Sequence, residues 1–175
     1  MNNTPLEIEY KFLIRFPDVE ILKKQPQYEC RELTQMYLTL PDSFGEKKGR
    51  CRIRCVKDSE GVKYIKTFKK KITEMTRVEI ESEISEEEFM QLSKYSNEGY
   101  SPISKIRHSF VLSGFTYEVD IFPFWNDRAY LEIEVESEDT KPPIPDFLTI
   151  IKDVTCDPRY RNSALAQKIF TEPID

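Results

Sequence analysis

The chain has 175 residues, 39% of them hydrophobic and 33% charged, with a net charge of −5. These values indicate one soluble, globular domain over residues 1–175, and they argue against disorder and against nonspecific nucleic-acid binding. No apolar run approaches the roughly 20 residues of a membrane span, and the N-terminus has no signal-peptide pattern, so we expect a cytoplasmic protein.

In chain order, the alternation of apolar and polar residues predicts mainly β-strands. The predicted strands cover residues 5–15, 33–40, 49–57, 62–70, 76–84, 103–112, 115–122 and 129–137. Helix signals are fewer and predict short helices over residues 18–25, 86–95 and 163–170. Eight antiparallel strands with short connections predict a mainly β (α+β) fold, a closed β-barrel or tunnel with a few flanking helices.

Charged residues in these strands are sorted by sign. Arginines alternate over residues 50–54, whereas glutamates alternate over residues 79–83 and 132–136. Residues 7–11 combine two glutamates and a lysine on one strand face. Like charges two residues apart on a strand lie roughly 6.5–7 Å from each other. This arrangement costs stability unless opposite charges or a bound ion neutralise them.

Two interpretations of this pattern are open. Charged faces on the outside of a sheet would form solvated cross-strand salt bridges or protect exposed strand edges. Charged faces inside a closed barrel would instead line its bore. Such a bore would offer arginines and lysines to phosphate oxygens, and paired carboxylates to a divalent cation such as Mg²⁺ or Mn²⁺. A ligand that touches both kinds of group would be a chain of phosphates.

The segment Glu7-Ile8-Glu9-Tyr10-Lys11 resembles the ExExK signature of the CYTH superfamily, the triphosphate tunnel metalloenzymes. Eight later segments resemble further motifs of that family in the same order. They are Gln35–Leu38 (Q-x-Y-L), Arg52–Arg54 (R-x-R), Lys66–Lys69 (L-T-x-K), Arg77–Glu81 (R-x-E-x-E), Lys105–Arg107 (K-x-R), Val119–Phe122 (V-D-x-F), Leu131–Val135 (A-E-x-E-x) and Val154–Asn162 (V-T-x-D-x-R-Y-x-N). The resemblance implies an eight-stranded antiparallel tunnel that binds a triphosphate, holds a divalent metal and cleaves a phosphoanhydride bond.

Two sets of site residues follow from this resemblance. The expected phosphate-binding residues are Lys11, Arg52, Arg54, Lys69, Lys105 and Arg107. The expected ligands of Mg²⁺ or Mn²⁺ are Glu7, Glu9, Glu132 and Glu134, helped by Asp120, while Glu79 and Glu81 hold a second ion's waters or anchor basic residues.

Lys11 and Glu9 are the expected catalytic residues, with water as the attacking group. An alternative role for Lys11 is that of a general base, because a desolvated lysine among other cations can lose its proton. An alternative for each of these charged residues is a structural salt bridge across the bore.

Inorganic tripolyphosphate is the expected substrate, because the chain is short and no feature fixes a nucleobase or thiazolium site. Class IV adenylyl cyclase and thiamine triphosphatase share the family's core, so ATP and thiamine triphosphate stay as alternatives. A module that senses polyphosphate or a nucleotide without hydrolysis is another, although a pure binder has little need of the acidic half. We expect a small-molecule triphosphate partner and no membrane or nucleic-acid partner, and a homodimer stays open.

Several further positions have open roles. His108 replaces the tyrosine that usually follows K-x-R, and its strand parity predicts a position outside the bore. Lys69–Lys71 is either a local anion patch or a solvated strand end. Residues 41–49 are a candidate lid, although an ordinary hairpin connection is the simpler interpretation. Phe124 and Trp125 are expected to pack in the core or on the surface rather than to stack on a substrate ring.

Overall fold

A computed structural model describes residues 6–41, 50–170 and 172–174 of the chain, so residues 42–49 of the candidate lid lie outside the described residues. Within these ranges there are nine β-strands and three short α-helices. The strands are β1 (Leu6–Arg15), β2 (Glu29–Leu38), β3 (Arg50–Asp58), β4 (Gly61–Lys71), β5 (Thr76–Ile84), β6 (Ile103–Leu112), β7 (Phe115–Ile121), β8 (Arg128–Glu134) and β9 (Ile150–Asp153). The helices are α1 (Val19–Leu22), α2 (Glu86–Leu92) and α3 (Asn162–Gln167). None of these helices is long and apolar enough to cross a membrane.

The sheet closes into an eight-stranded barrel. Its strand order is β5-β4-β3-β2-β6-β7-β8-β1, and β1 also pairs with β5 to complete the ring. In that closing pair Leu6 lies opposite Val78 and Ile8 lies opposite Thr76. The paired strands run antiparallel throughout. The predicted eight-stranded antiparallel barrel is therefore confirmed.

The structure has one strand more than predicted, and its helices are shorter than predicted. The strand β9 was not predicted, and it pairs with the C-terminal half of β1, at Phe12–Ile14, beyond the stretch that pairs with β5. Its four residues offer too few alternating positions to indicate a strand. The three helices are each shorter than predicted, and α1 has only four residues.

Apolar outer faces of the barrel pack beneath the helices. The side chain of Leu22 in α1 is fully buried against the cluster that contains Ile14 and Leu131. On another side, Phe89 of α2 packs with Leu38 and Ile53. Burying a large aliphatic side chain of this kind contributes about 1.5–3 kcal/mol to folding. These faces leave the opposite, charged faces of the same strands to point into the bore.

The C-terminal segment closes part of one end of the barrel with an apolar plug. We define the plug as the buried side chains of Leu13, Ile103, Phe122, Trp125, Tyr130, Val154, Tyr160, Leu165 and Ala166. Phe124 packs against it, so the packing interpretation of Phe124 and Trp125 is confirmed. Since Leu13 has the same strand parity as Glu9 and Lys11, the inner wall changes from ionic to apolar towards this end.

Candidate active site

A cavity of about 340 Å³ lies inside the barrel beside the plug. Nine of the described residues that line it are lysines or arginines, and six are glutamates or aspartates. These charged residues are Lys11, Arg52, Arg54, Lys69, Lys70, Lys71, Arg77, Arg107 and Arg161, and Glu7, Glu9, Glu79, Glu118, Glu132 and Asp157. We call this cavity the basic chamber. Its lining decides between the two interpretations of the sorted charges, because these charged strand faces point into the bore.

A second cavity, of about 570 Å³, lies towards the opposite end of the barrel, where β3 turns into β4. It shares five wall residues with the basic chamber: Glu7, Arg54, Glu79, Arg107 and Glu118. Among its described lining residues, acids outnumber lysines and arginines by six to four. We call it the acidic opening. The two cavities meet within the barrel and give the bore an electrical polarity from one end to the other.

The cationic wall is built by β3 and β4, whose alternating side chains lie opposite glutamates of β1 and β5. Lys69 Nζ lies 2.7 Å from Glu7 Oε2, and it also pairs with Glu79. Arg52 donates to Glu79 Oε1 at 3.3 Å. Arg54 pairs with Glu81, and burial followed by the charge of Arg52 lowers the pKa of Arg54 to about 10. These cations are therefore held by carboxylates within the wall.

Arg107 of β6 binds three acids at once. Its Nε donates to Asp120 Oδ1 at 2.7 Å, and its Nη2 donates to Asp120 Oδ2 at 2.7 Å and to Glu132 Oε2 at 2.6 Å. Its Nη1 donates to Glu118. Burial alone would lower the pKa of Arg107, but the charges of Asp120 and Glu118 raise it above its usual value. Arg107 is thus a fixed guanidinium at the wall that both cavities share.

Lys105 and Asp120 lie behind this wall rather than on it. Lys105 donates to Asp120 Oδ2, and their side chains are only 2% and 0% exposed. Burial, followed by the charge of Arg107, lowers the pKa of Lys105 to about 8. Neither residue is among those that line the basic chamber. Since both Asp120 oxygens already accept hydrogen bonds, Asp120 is placed to orient Lys105 and Arg107.

Four carboxylates crowd together where β1, β7 and β8 meet. Glu9 lies opposite Glu134, and Glu118 lies opposite Glu132. Burial is the largest cause of a raised pKa for Glu9, to about 6, and the charges of Glu132 and Glu7 raise it further. Burial likewise raises the pKa values of Glu134 and Glu118. Glu132 is the exception: burial would raise its pKa, but the charges of the nearby cations hold it well below its usual value.

The donor chemistry of this cluster fits a hard divalent cation. Carboxylate oxygens are the ligands that Mg²⁺ and Mn²⁺ prefer. Burial and, after it, the neighbouring negative charges raise the pKa of Glu9, and a cation bound beside the ionised form would offset both effects. In the described part of the chain, however, no three His, Cys, Asp or Glu side chains are already arranged to hold a metal ion. Arg77 donates to Glu9 Oε1 at 3.0 Å, so a metal ion bound by Glu9 would share this carboxylate with Arg77.

Lys11 is held in place by its side chain and by its backbone. Its Nζ donates to Glu132 Oε1 at 2.7 Å and lies 4.1 Å from the centre of the Tyr130 ring. The Lys11 amide donates to Thr155 Oγ1 at 3.0 Å, and the Val154 amide donates to the Lys11 carbonyl at 2.9 Å. The segment that follows β9 therefore fixes Lys11 where the ionic bore meets the plug.

The predicted site does not include several residues of the basic chamber. Strand alternation places Arg77 on the same face as Glu79, and Glu118 on the same face as Asp120, but neither was given a role in the predicted site. Arg161 reaches the chamber from the irregular C-terminal segment, where no periodic signal exists. Of the expected metal ligands and supporting acids, Glu134 and Glu81 line the acidic opening instead.

The other positions with open roles are placed as follows. His108 is buried outside the bore, with its Nδ1 2.8 Å from the Tyr28 hydroxyl. Lys69, Lys70 and Lys71 all line the basic chamber, which favours the anion-patch interpretation over a purely solvated strand end.

Comparisons with known proteins agree with this geometry. The CYTH domain family matches residues 5–150. The chain belongs to the CYTH domain family. An inorganic triphosphatase of Acetivibrio thermocellus is 33% identical to this CYTH protein over 165 residues, which cover 94% of this chain and 95% of that protein. Proteins of the CYTH family are in general metal-dependent.

Two solved structures resemble the fold of this chain. The crystal structure of the inorganic triphosphatase NE1496 matches with a TM-score of 0.55 and 31% identity, over 93% of this chain and 95% of that one. The PH1819 protein of Pyrococcus horikoshii matches with a TM-score of 0.55 over 76% of this chain and 80% of that one. At 22% identity, the second likeness supports the fold alone.

Proposed function

We propose that this CYTH protein is a divalent-metal-dependent inorganic triphosphatase, which hydrolyses a phosphoanhydride bond of tripolyphosphate in the basic chamber. The observation that carries the proposal is the chamber wall, where lysines and arginines converge beside carboxylates with raised pKa values. Two inorganic triphosphatases that this chain resembles over more than nine-tenths of its length support the choice of reaction.

Phosphate oxygens would be bound by the cations that line the chamber, chiefly Lys11, Arg52, Arg54, Lys69 and Arg107. Their carboxylate partners hold them in place before substrate binds, so little reorganisation is needed. Phosphate oxygens replace those carboxylates as acceptors and spread the substrate's negative charge over several donors. Because Lys11 already pairs with Glu132, we favour phosphate binding over a general-base role for Lys11.

Glu7 and Glu9 of β1 and Glu132 and Glu134 of β8 would hold Mg²⁺ or Mn²⁺. A bound divalent ion would neutralise phosphate charge and position or acidify a water molecule. The chain keeps these carboxylates buried and close together, and burial followed by the charges of Glu132 and Glu7 raises the pKa of Glu9. Glu79 and Glu81 would act as anchors of Arg52, Arg54 and Lys69.

Lys105 and Asp120 would act through Arg107. Both are buried and bonded to each other, and the two Asp120 oxygens are occupied. We therefore propose that Asp120 positions the Arg107 guanidinium rather than binding metal, and that Lys105 balances the charge of Asp120 in the wall. This narrows the roles expected for these two residues from the sequence.

Tripolyphosphate is favoured over ATP and thiamine triphosphate by the lining of the chamber. Among the described lining residues, Tyr37 is the only one with an aromatic ring. The rings of Phe124 and Trp125, which could have stacked on a base or a thiazolium, belong instead to the plug and its packing. The chamber therefore offers cations that bind phosphate along its wall, but few aromatic side chains that could stack on a nucleobase or a thiazolium ring.

A substrate panel with product identification tests this proposal. Purified protein is incubated with tripolyphosphate, ATP or thiamine triphosphate, with Mg²⁺ or Mn²⁺ and with or without chelator. The proposal expects orthophosphate and pyrophosphate from tripolyphosphate, and no release when chelator is present. Cyclic AMP with pyrophosphate from ATP would identify a cyclase, and tight tripolyphosphate binding without release of phosphate would identify a sensor.

A further inference from the structure

The rim of the basic chamber carries an ion-pair bridge that the proposed reaction does not use. Arg161, just before α3, and Lys71, at the end of β4, both line the chamber. Both are bound by one carboxylate, that of Glu74 in the turn between β4 and β5. Arg161 Nη2 lies 3.0 Å from Glu74 Oε2, and Lys71 pairs with Glu74 Oε1.

Glu74 is the counter-ion of a small group of cations at this rim. Its pKa is lowered first by the hydrogen bond from Lys71 and then by the charges of Lys71, Arg161 and Arg77. Glu74 itself is half exposed and is not among the residues that line the chamber. A carboxylate thus occupies, from outside, the donors that a phosphate entering the chamber would meet first.

We propose that Arg161 and Lys71 form an entry contact for the terminal phosphate of the substrate, and that Glu74 is the internal competitor which this phosphate displaces. This inference rests on the proposed function, because it assumes that a polyphosphate enters the basic chamber. It also gives substrate entry a direction. The opposite end of the bore is acidic and repels a polyanion, whereas this rim carries an excess of cations.

The energetics favour such an exchange. Ion pairs between side chains as exposed as those of Lys71 and Glu74 stabilise a protein little, because water and side-chain entropy offset the Coulomb attraction. A terminal phosphate carries more charge than a carboxylate and offers three acceptor oxygens to the Arg161 guanidinium and the Lys71 ammonium. Glu74 can therefore hold Arg161 and Lys71 in place and still release them to an incoming phosphate.

The turn does not depend on Glu74 for its shape. Ile72 and Thr73 both donate backbone hydrogen bonds to the Thr76 carbonyl, at 3.0 and 3.1 Å. The Thr76 hydroxyl also binds Glu138 Oε1 at 2.5 Å. Replacing Glu74 with glutamine should therefore leave the turn and the barrel folded, so the competitor role can be separated from a structural one.

Steady-state kinetics with tripolyphosphate test the inference. Arg161→Gln should raise KM roughly fivefold to tenfold, on the scale of one lost charge-assisted contact, while kcat stays within about twofold. Arg161→Lys should recover part of the loss. Glu74→Gln should lower KM roughly twofold to threefold at low ionic strength, and the gain should fade at high salt. When Glu74→Gln is combined with Arg161→Gln, it should lower KM by a smaller factor than it does in the wild-type protein.

The matched control is the turn at the other end of β4. There Glu60 pairs with Lys63 at 2.9 Å, with the same three-residue spacing, and the two lysines are similarly exposed, at 43% for Lys63 and 46% for Lys71. Glu60→Gln should leave KM unchanged, because that turn lies towards the acidic opening, which Lys63 lines.

An unchanged KM in Arg161→Gln, or a raised KM in Glu74→Gln, would overturn the inference while the wild-type triphosphatase activity stands. If the wild type releases no phosphate from any triphosphate, the proposed function fails instead. In that case calorimetry measures the Kd for tripolyphosphate in the same variants. The inference expects a higher Kd in Arg161→Gln and a lower Kd in Glu74→Gln.

Discussion

Arg107 and Asp120 form a bidentate ion pair in the wall of the barrel, with two nitrogen–oxygen distances of 2.7 Å. They lie opposite each other on the neighbouring strands β6 and β7. Asp120 is fully buried, whereas Arg107 reaches the surface of the chamber. Strand pairing thus converts a buried aspartate into a support for a guanidinium that can meet a ligand.

This pair leads to a prediction about stability. Asp120→Asn should lower the free energy of unfolding by about 3 kcal/mol, because it leaves the buried Lys105 and Arg107 without their shared counter-ion. Chemical denaturation measures the change. Glu20→Gln, which removes the exposed partner of Lys23, is the control and should change stability little. An Asp120→Asn protein as stable as the wild type would show that the pair is not needed to balance these charges.

The two sides of the chamber should respond differently to mutation. Arg52→Ala should raise KM for tripolyphosphate roughly tenfold or more, since it removes a charge-assisted phosphate contact. Glu9→Ala should mainly lower kcat, by roughly a hundredfold, since it removes a group placed to stabilise transition-state charge through the metal. Steady-state kinetics at saturating metal separate the two effects. Equal activity in Arg52→Ala and Glu9→Ala would show that the site has been assigned to the wrong residues.

The raised pKa of Glu9 predicts a pH dependence of stability. In the folded protein the pKa is about 6, against an ordinary value of 4.5. Between these values the folded chain keeps a proton that the unfolded chain has released, so stability falls as pH rises through this window. At pH values above this window, the ionisation of Glu9 alone should lower the free energy of unfolding by about 2 kcal/mol. Glu7 and Glu134, whose pKa values are also raised, act in the same direction.

Glu9→Gln provides the comparison, because the amide does not titrate. Denaturation at about pH 4.5 and about pH 7.5 should show a smaller loss of stability with rising pH in Glu9→Gln than in the wild type. Adding MgCl₂ should raise the wild-type Tm more at about pH 7.5 than at about pH 4.5, since ionised carboxylates bind the cation. An equal MgCl₂ effect at both pH values would argue against a carboxylate site.

The plug should be a stability element rather than a catalytic one. Leu165 of α3 is buried in the plug, so Leu165→Ala should lower the free energy of unfolding by about 3 kcal/mol. Lys168→Ala, just past the end of α3 and exposed, is the control. Thermal denaturation and KM for tripolyphosphate are measured together. Unchanged stability in Leu165→Ala would mean that the C-terminal segment is not packed as described.

Much of the barrel could be predicted from the sequence because strand parity is a local property. Residues such as Glu9 and Arg52 alternate with apolar neighbours, and that alternation alone assigns them to one face of a strand. The sorted charges left an outer and an inner position of that face open, and the resemblance to the CYTH superfamily implied the inner one. The four-residue β9, in contrast, is recognised only from its pairing with β1, which lies far away in the chain.

The partners of the charged residues could not be predicted in the same way. Lys105 and Arg107 have the same parity, yet Lys105 is buried behind the wall and Arg107 lines the chamber. That difference depends on the plug, where Ile103, Phe122 and Tyr130 close the bore near Lys105. Arg161 likewise reaches the chamber only because the C-terminal segment folds back across one end of the barrel.

A crystal structure with tripolyphosphate and Mn²⁺, with data collected at the manganese absorption edge, tests the ionic bore most directly. We expect phosphate density in contact with Lys11, Arg52 and Arg54, and an anomalous peak beside Glu7, Glu9 and Glu132. Phosphate and manganese bound on the outer surface, with the basic chamber holding only solvent, would contradict the account.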